Sequence, residues 1–351
     1  MNLMNSSSIT RRELITASSI AATAAAIFPS PVQGGDQAAP APGSQVATFS
    51  QIGCNGRGFG RVGLSSDALL DAIKAAGYPR ADQISIRGGA GRARGAGSGA
   101  AGNRAPAAPG GGRNAAAPEA LAALKAALAA RGLTTALGNL RIPEDVPLAD
   151  AIAAARQSIT EAHALGQTHV LTMGTFYEEG WAQFCKVLAD AAAFGQDLGV
   201  QVVLKNHHGL NNTAGELVGW VQQVNHPNFG IFWDAGNLVY YTGKDALKQL
   251  EIVAPYVTGV VAKDCTRAAY QTRSAGDPPF GDGPPDAANS EVMIQFGTGK
   301  VDFVGMYRKL KSLGFHGPTV VEGMLPETTL ERAIANARAQ REFLEKAMAS
   351  V

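Results

Sequence analysis

From residue 46 onward, short apolar runs alternate with longer stretches whose apolar positions recur every three or four residues. The first kind reads as buried strand and the second as amphipathic helix. Strands are predicted over residues 46–54, 83–86, 133–140, 168–173, 200–205, 230–233, 257–263 and 318–321. Helices are predicted over 66–76, 118–131, 149–165, 180–198, 214–224, 245–253, 303–313 and 328–349. Punctuation agrees with these limits. Pro118 suits a first turn, Asp302 an N-cap, and Gly77, Gly132, Gly166, Gly199 and Gly314 fall just past helix ends. Strict alternation implies parallel strands. Eight strand–helix units favour closure into an α/β (β/α)8 TIM barrel over an open doubly wound sheet. The run Gly56-Arg57-Gly58-Phe59-Gly60 has no phosphate-binding helix start and reads as a flexible first loop.

Two insertions break the pattern. Residues 88–118, after strand two, consist mostly of Gly, Ala, Pro, Arg and Asn, with no acid before Glu119. Such a stretch cannot bury a core and is expected to be a disordered, solvated loop. Arg92, Arg94, Arg104 and Arg113 make it basic, and an RNA-binding arginine–glycine segment is the sharper alternative. Residues 267–296, after strand seven, contain Asp277-Pro278-Pro279 and Gly283-Pro284-Pro285. Both insertions leave from C-terminal strand ends, where a barrel keeps its active site, and are placed to cover it.

The first residues read as an address. Thr10-Arg11-Arg12-Glu13-Leu14-Ile15 precedes an apolar run from Ala17 to Phe28, the pattern of a twin-arginine export signal. That run is too short for a stable membrane anchor. The chain therefore divides into a signal and linker, 1–45, and a barrel, 46–351, with the twin-arginine machinery as a partner and the periplasm or another exported location as destination. The route usually carries folded proteins, often cofactor-loaded ones. With 30 basic and 29 acidic residues the net charge is +1, which gives no reason to expect nucleic acid or an anionic membrane. Cys54, Cys185 and Cys265 are too few and too scattered for a disulfide framework.

Chemistry concentrates at the ends of predicted strands five to eight. Each is an apolar run that abruptly presents charge: Lys205-Asn206-His207-His208, Asp234-Ala235-Gly236-Asn237, Lys263-Asp264-Cys265 and Glu322-Gly323. In a parallel barrel these ends converge on one mouth. Side chains alternate along a strand, so Lys205 and His207 share one side, Asn206 and His208 the other. Carboxylates and an imidazole meeting there suit a divalent ion or proton transfer next to a carbonyl. Plainer readings stand beside these. Asp234 reads also as a loop cap, the two histidines as backbone-bonded loop residues, and Lys263-Asp264 as a structural ion pair. Lys205 ends a fully apolar strand, where an unpaired ammonium is costly. Trp181, Tyr240 and Tyr241 line a sugar pocket or simply fill the core.

Those motifs, with Gly297-Thr298-Gly299-Lys300-Val301-Asp302-Phe303 and Val320-Val321-Glu322, resemble the xylose isomerase-like barrel superfamily, also called the sugar phosphate isomerase/epimerase family. The likeness runs from Val46 to the C-terminus. It implies a divalent metal held by two Glu, one Asp and one His, and proton transfer through an enediolate. Two positions depart: Lys205 stands where the family has its first Glu, and Val261 where it has its His. The expected metal ligands are thus His207, Asp234 and Glu322, around Mn, Zn, Co or Mg. Lys205, Glu322 and Lys263 are the expected catalytic residues, and His208, Asn237 and Asp264 the expected substrate contacts. Lys205 acts either as a base, if burial lowers its pKa, or as the electrostatic partner of an enolate oxygen. The expected function is an isomerase or epimerase acting on a free sugar or keto-sugar by metal-assisted proton transfer. Export favours free or glycosidic sugars over phosphorylated ones. A lyase acting on oxidised glycosides and a non-catalytic sugar-binding barrel are the alternatives. Export, balanced charge and 6 His argue against the DNA-repair endonucleases of the same superfamily.

Overall fold

The computed structural model describes residues 52–84, 117–175, 178–207, 209–266, 293–323, 325 and 327–351. The proposed signal, nearly all of both insertions and His208 lie outside them.

The chain begins with strand β1 (Ile52–Cys54), helix α1 (Ser66–Ala75), β2 (Arg80–Ala81) and α2 (Pro118–Ala130). It continues through β3 (Leu137–Asn139), α3 (Leu148–Leu165), β4 (His169–Thr172), α4 (Glu178–Asp197) and β5 (Gln201–Lys205). Then come α5 (Ala214–Val224), β6 (Phe229–Trp233), α6 (Ala235–Thr242), α7 (Ala246–Val253) and β7 (Val257–Ala262). Helix α8 (Phe303–Ser312), β8 (Thr319–Val321) and α9 (Leu330–Ala349) complete it. Eight strands form one sheet in the order β2-β1-β8-β7-β6-β5-β4-β3, and every pairing is parallel. The two ends meet: Arg80 bridges Thr134 in parallel, Ala81 N donates to Thr134 O at 2.9 Å, and Gln83 N donates to Leu137 O at 2.7 Å. The expected (β/α)8 TIM barrel is the observed fold.

Several elements differ from expectation. Strand two is Arg80–Ala81; of the expected 83–86, Gln83 and Ile84 are not strand and residues 85–86 lie outside the described residues. The strand observed hides behind charge. Arg80 and Asp82 are buried as an ion pair at 2.8 Å, with Asp82 Oδ1 accepting from the amides of Ala136 and Leu137. Gly53 opposite is obligatory, because a Cβ there would lie 1.8 Å from Asp82 Oδ2. The first loop contains a 3-10 turn, Arg57–Phe59. Helix α6 was not expected at all; Asp234 caps it, its Oδ1 accepting from Asn237 N at 2.8 Å. Asp302 caps α8 as expected, accepting from Gly305 N. All three cysteines are buried and none is in a disulfide.

Two apolar layers position the site. The larger fills the space between sheet and helices. A second cluster, Leu137, Leu171, Val203, Phe232, Val261 and Val320, is separate from it and takes one residue from each of six consecutive strands. It is the plug of the barrel. Two residues beyond its members Val203, Phe232, Val261 and Val320 stand Lys205, Asp234, Lys263 and Glu322. Strand alternation therefore aims all four into the mouth, directly above the apolar plug.

Candidate active site

The four charged ends meet as one cluster. Lys205 Nζ donates to Glu322 Oε2 at 2.7 Å and lies 3.9 Å from Asp234 Oδ2. Lys263 Nζ lies 3.3 Å from Asp234 Oδ2 and 3.3 Å from Glu322 Oε1. The side chains are between 0% and 5% exposed, so each charge has lost its water and depends on the others. Arg57, from the 3-10 turn, adds a contact at 3.2 Å to Glu322 Oε1 from the solvent side.

Amide side chains fix this arrangement. Lys263 Nζ donates to Asn237 Oδ1 at 2.8 Å, and Asn237 Nδ2 donates to Asn206 O at 2.9 Å. Asn206 closes the circuit: its Nδ2 donates to Asp234 O and its Oδ1 accepts from Asp234 N, both at 2.8 Å. The glycines after Asp234 and Glu322 make room. A Cβ on Gly236 would meet Lys263 O at 2.5 Å, and one on Gly323 would meet the Lys263 stem at 2.7 Å.

Environment splits the four titrations. Burial pulls Lys205 below the ordinary lysine value although Glu322 and Asp234 oppose it. Burial acts against Lys263 as well, but Asp234 and Glu322 outweigh it and hold that ammonium above. Burial lifts Asp234 despite both lysines. Glu322 is also buried, yet Lys205, Lys263 and Arg57 together keep it well below the usual carboxylate range.

The other expected site residues divide. Asn237 joins the cluster through Lys263 rather than facing open space. Asp264 turns away: its carboxylate accepts the backbone N–H groups of Cys265, Gly297, Gly299 and Val301 at 2.9–3.2 Å. It therefore holds a loop, and the expected ion pair with Lys263 is not formed. His207 directs Nε2 toward the Tyr241 hydroxyl at 3.2 Å and packs on that ring. Trp181 packs on Trp220 and Tyr240 on Tyr241, away from the cavity described next.

The residues expected around a divalent ion do not fit one here. Among the described residues no three His, Cys, Asp or Glu side chains gather closely enough to hold a metal. The space between Asp234 and Glu322 contains two ammonium groups, His207 is engaged with Tyr241, and Val261 belongs to the apolar plug.

A cavity of about 200 Å³ opens beside the cluster. Lys205 and Glu322 line it, together with Arg57, Gln83, Asn139, Glu144 and Thr172 among its polar residues and Leu171, Met173 and Phe184 among its apolar ones. Sequence reasoning missed those five polar residues. Asn139 sits inside a run read as strand through Leu140, and Arg57 inside a run read as a flexible loop. Gln83 carries a different signal, visible only in three dimensions. Its φ is 54°, left-handed for a residue with a side chain, and its Nε2 donates to Asn139 Oδ1 at 2.9 Å. Such strain persists where the surroundings enforce it, commonly beside ligands.

A family model described as xylose isomerase-like TIM barrel matches residues 95–347, more than half of the chain. The chain belongs to the xylose isomerase-like TIM barrel family. Among curated proteins, L-ribulose-5-phosphate 3-epimerase of Salmonella paratyphi C is 26% identical over 141 residues. That match takes in 40% of this chain and 41% of the epimerase, so the chain spans about two fifths of the relative's length. Among solved structures, D-allulose 3-epimerase from Methylomonas sp. superposes with a TM-score of 0.58 at 15% identity, covering 85% of this chain and 97% of that one. The probable 3-DHS dehydratase AsbF from Bacillus anthracis also gives 0.58, at 13% identity, covering 84% and 98%. At such identities these superpositions speak for the shared barrel.

Proposed function

We propose that this protein is a sugar isomerase or epimerase, moving a proton at a carbon next to the carbonyl of a small keto-sugar. The observation that carries the reading is the cavity at the C-terminal mouth of a xylose isomerase-like barrel, floored by the Lys205–Glu322 pair at 2.7 Å. Its volume, about 200 Å³, suits a monosaccharide better than an oligosaccharide. Amides, a guanidinium and a hydroxyl on its wall suit a polyol. The names of its relatives, which include L-ribulose and D-allulose epimerases, favour ketoses as first candidates.

Proton transfer needs an electrophile for the developing enolate oxygen and a base for the carbon-bound proton. Lys205 is the cavity's buried ammonium and supplies the first. Glu322 and Glu144 are the carboxylates on the described wall. Glu322 is held ionised by three cations, which makes it a weak base and assigns it to orienting Lys205. The proton therefore goes to Glu144, whose Oε2 accepts from the Thr175 hydroxyl at 3.0 Å. The carbon–hydrogen bond breaks and its electron pair forms the enediolate; return of the proton from Glu144 to the neighbouring carbon gives the isomer, and protonation of the opposite face from solvent gives the epimer. The proposed site of action is outside the cytoplasm, reached by the twin-arginine route.

The test is proton exchange. Keto-pentoses and keto-hexoses incubated with the protein in heavy water should lose their carbon-bound proton signal next to the carbonyl, followed by NMR. Glu144→Gln should lower that rate by about two to four orders of magnitude, the usual worth of a general base. Saturable sugar binding with no exchange on any ketose would instead favour the sugar-binding barrel.

A further inference from the structure

We propose that the ammonium groups of Lys205 and Lys263 take the place of a divalent cation in this barrel, so that its site works on internal charge and binds no metal. The inference begins with where positive charge already lies. Three of the four acidic oxygens of Asp234 and Glu322 face an ammonium: Glu322 Oε2 at 2.7 Å, Glu322 Oε1 at 3.3 Å and Asp234 Oδ2 at 3.3 and 3.9 Å. The fourth, Asp234 Oδ1, accepts from the amide of Asn237. A metal at ligand distance, about 2.0–2.6 Å from such oxygens, would share its space with two positive charges. Those charges are not surface lysines that can swing aside. Both are buried, Lys263 is held by Asn237 Oδ1 at 2.8 Å, and the chain at Gly236 and Gly323 runs so near it that neither has room for a Cβ.

Charge arithmetic points the same way. Lys205 and Lys263 balance Asp234 and Glu322, and Arg57 brings a third cation to Glu322, so the group carries one net positive charge before any ion is added. Among the described residues, no neutral ligand joins the two carboxylates: Val261 lies in the plug and His207 engages Tyr241 through its Nε2.

The two lysines have unequal positions, and this sets their tasks. Lys205 lines the cavity, so it meets the substrate oxygen; Lys263 does not, and it holds Asp234 and Glu322 at the spacing that keeps Lys205 in place. An ammonium donates a proton in a hydrogen bond as charge develops on oxygen, which a metal ion cannot do. This role for Lys205 rests on the isomerase reading; the absence of a metal requirement does not.

The decisive measurement needs no substrate. The full chain, purified and then dialysed against Mn, Co, Zn or Mg chloride and desalted, should carry far less than one ion per chain by elemental analysis. Calorimetric titration with Mn should show no saturable heat. Lys205→Glu removes one ammonium and adds a carboxylate beside Asp234 and Glu322. That variant should gain Mn binding, seen as a Tm that rises with added Mn while the wild-type Tm stays fixed. Lys205→Met, which adds no ligand, should remain insensitive to Mn and controls for loosening of the site. One ion per wild-type chain surviving desalting would overturn the proposal, whether or not any sugar reacts. So would wild-type proton exchange that disappears with EDTA and returns with Mn. Failure of every ketose to exchange would count against the isomerase reading alone and leave the metal result to stand by itself.

Discussion

Lys205 shows what a single residue asks of its surroundings. At the end of an apolar strand, 2% exposed, its charge survives only because Glu322 lies 2.7 Å away. Lys205→Met keeps the stem but leaves Glu322 to Lys263 and Arg57. The expected loss of stability is about 3 kcal/mol, the low end for breaking a buried pair because two partners remain. Urea unfolding at neutral pH measures it, and a loss near zero would mean the pair is not formed. The acid behaviour has a definite sign. Glu322 is held below its ordinary value of 4.5 in the folded chain, so its contribution is complete above that pH and is lost as pH falls below it. Lys263 is held above 10.5, so its share is complete below that pH and is lost only at higher pH. Carbon NMR of the Glu322 carboxyl should therefore show it ionised at pH 4.5 in the wild type and titrating nearer the ordinary value in Lys205→Met. Unchanged titration in the variant would remove Lys205 as the cause. The four cluster residues were legible because each interrupts an apolar run. Which of them touch was not, since an ammonium in place of a carboxylate changes the partner of every neighbour.

At the scale of elements, legibility followed the strength of the apolar signal. Strands β5 to β8 are continuous apolar runs, and their ends sit within a residue or so of expectation. Strand β2 failed because two residues suffice for it and both its inward neighbours are charged, Arg80 and Asp82 satisfying one another inside the barrel. Helix α6 was missed because Asp234 has two tasks: one oxygen caps the helix while the other faces the lysines, and the chemistry disguised the cap. The missed half of the site comes from the first loop, the segments after β2 and β3, and the ends of β3 and β4, where short strands and polar ends leave little pattern to read. Asp264 gives the matching prediction. It gathers four backbone amides from the β7 end and the 297–301 loop, and Gly299 is there because a Cβ would lie 2.1 Å from Asp264 Oδ1. Asp264→Ala orphans those donors and should cost on the order of 3 kcal/mol. Thermal unfolding should show that loss, whereas the wild-type carboxylate touches no group of the cavity wall. A variant with unchanged Tm but abolished sugar binding would return Asp264 to the substrate.

For the whole molecule, the proposed route out of the cytoplasm can be weighed against the way the barrel is built. A protein threaded unfolded through a membrane and folded in an oxidising compartment commonly relies on disulfides for stability. Here Cys54, Cys185 and Cys265 are each buried and none is in a disulfide, and burial raises the thiols of Cys54 and Cys185 to about 12, which leaves them poor nucleophiles. The core is thus complete in a reducing compartment and asks nothing of an oxidising one, the condition under which folding before export is useful. On the proposal above no metal needs loading either, so the twin-arginine pattern would serve a barrel exported because it folds early, not because it carries a cofactor. Replacing both Arg11 and Arg12 by Lys tests this in cells. The variant should accumulate at full length in the cytoplasmic fraction, folded and with the wild-type Tm once purified, while the parent chain is recovered, shortened, outside. Equal recovery of the two outside the cytoplasm would end the twin-arginine reading. A cytoplasmic variant that is retained but unfolded would show that folding depends on the destination, contrary to what three reduced, buried thiols imply.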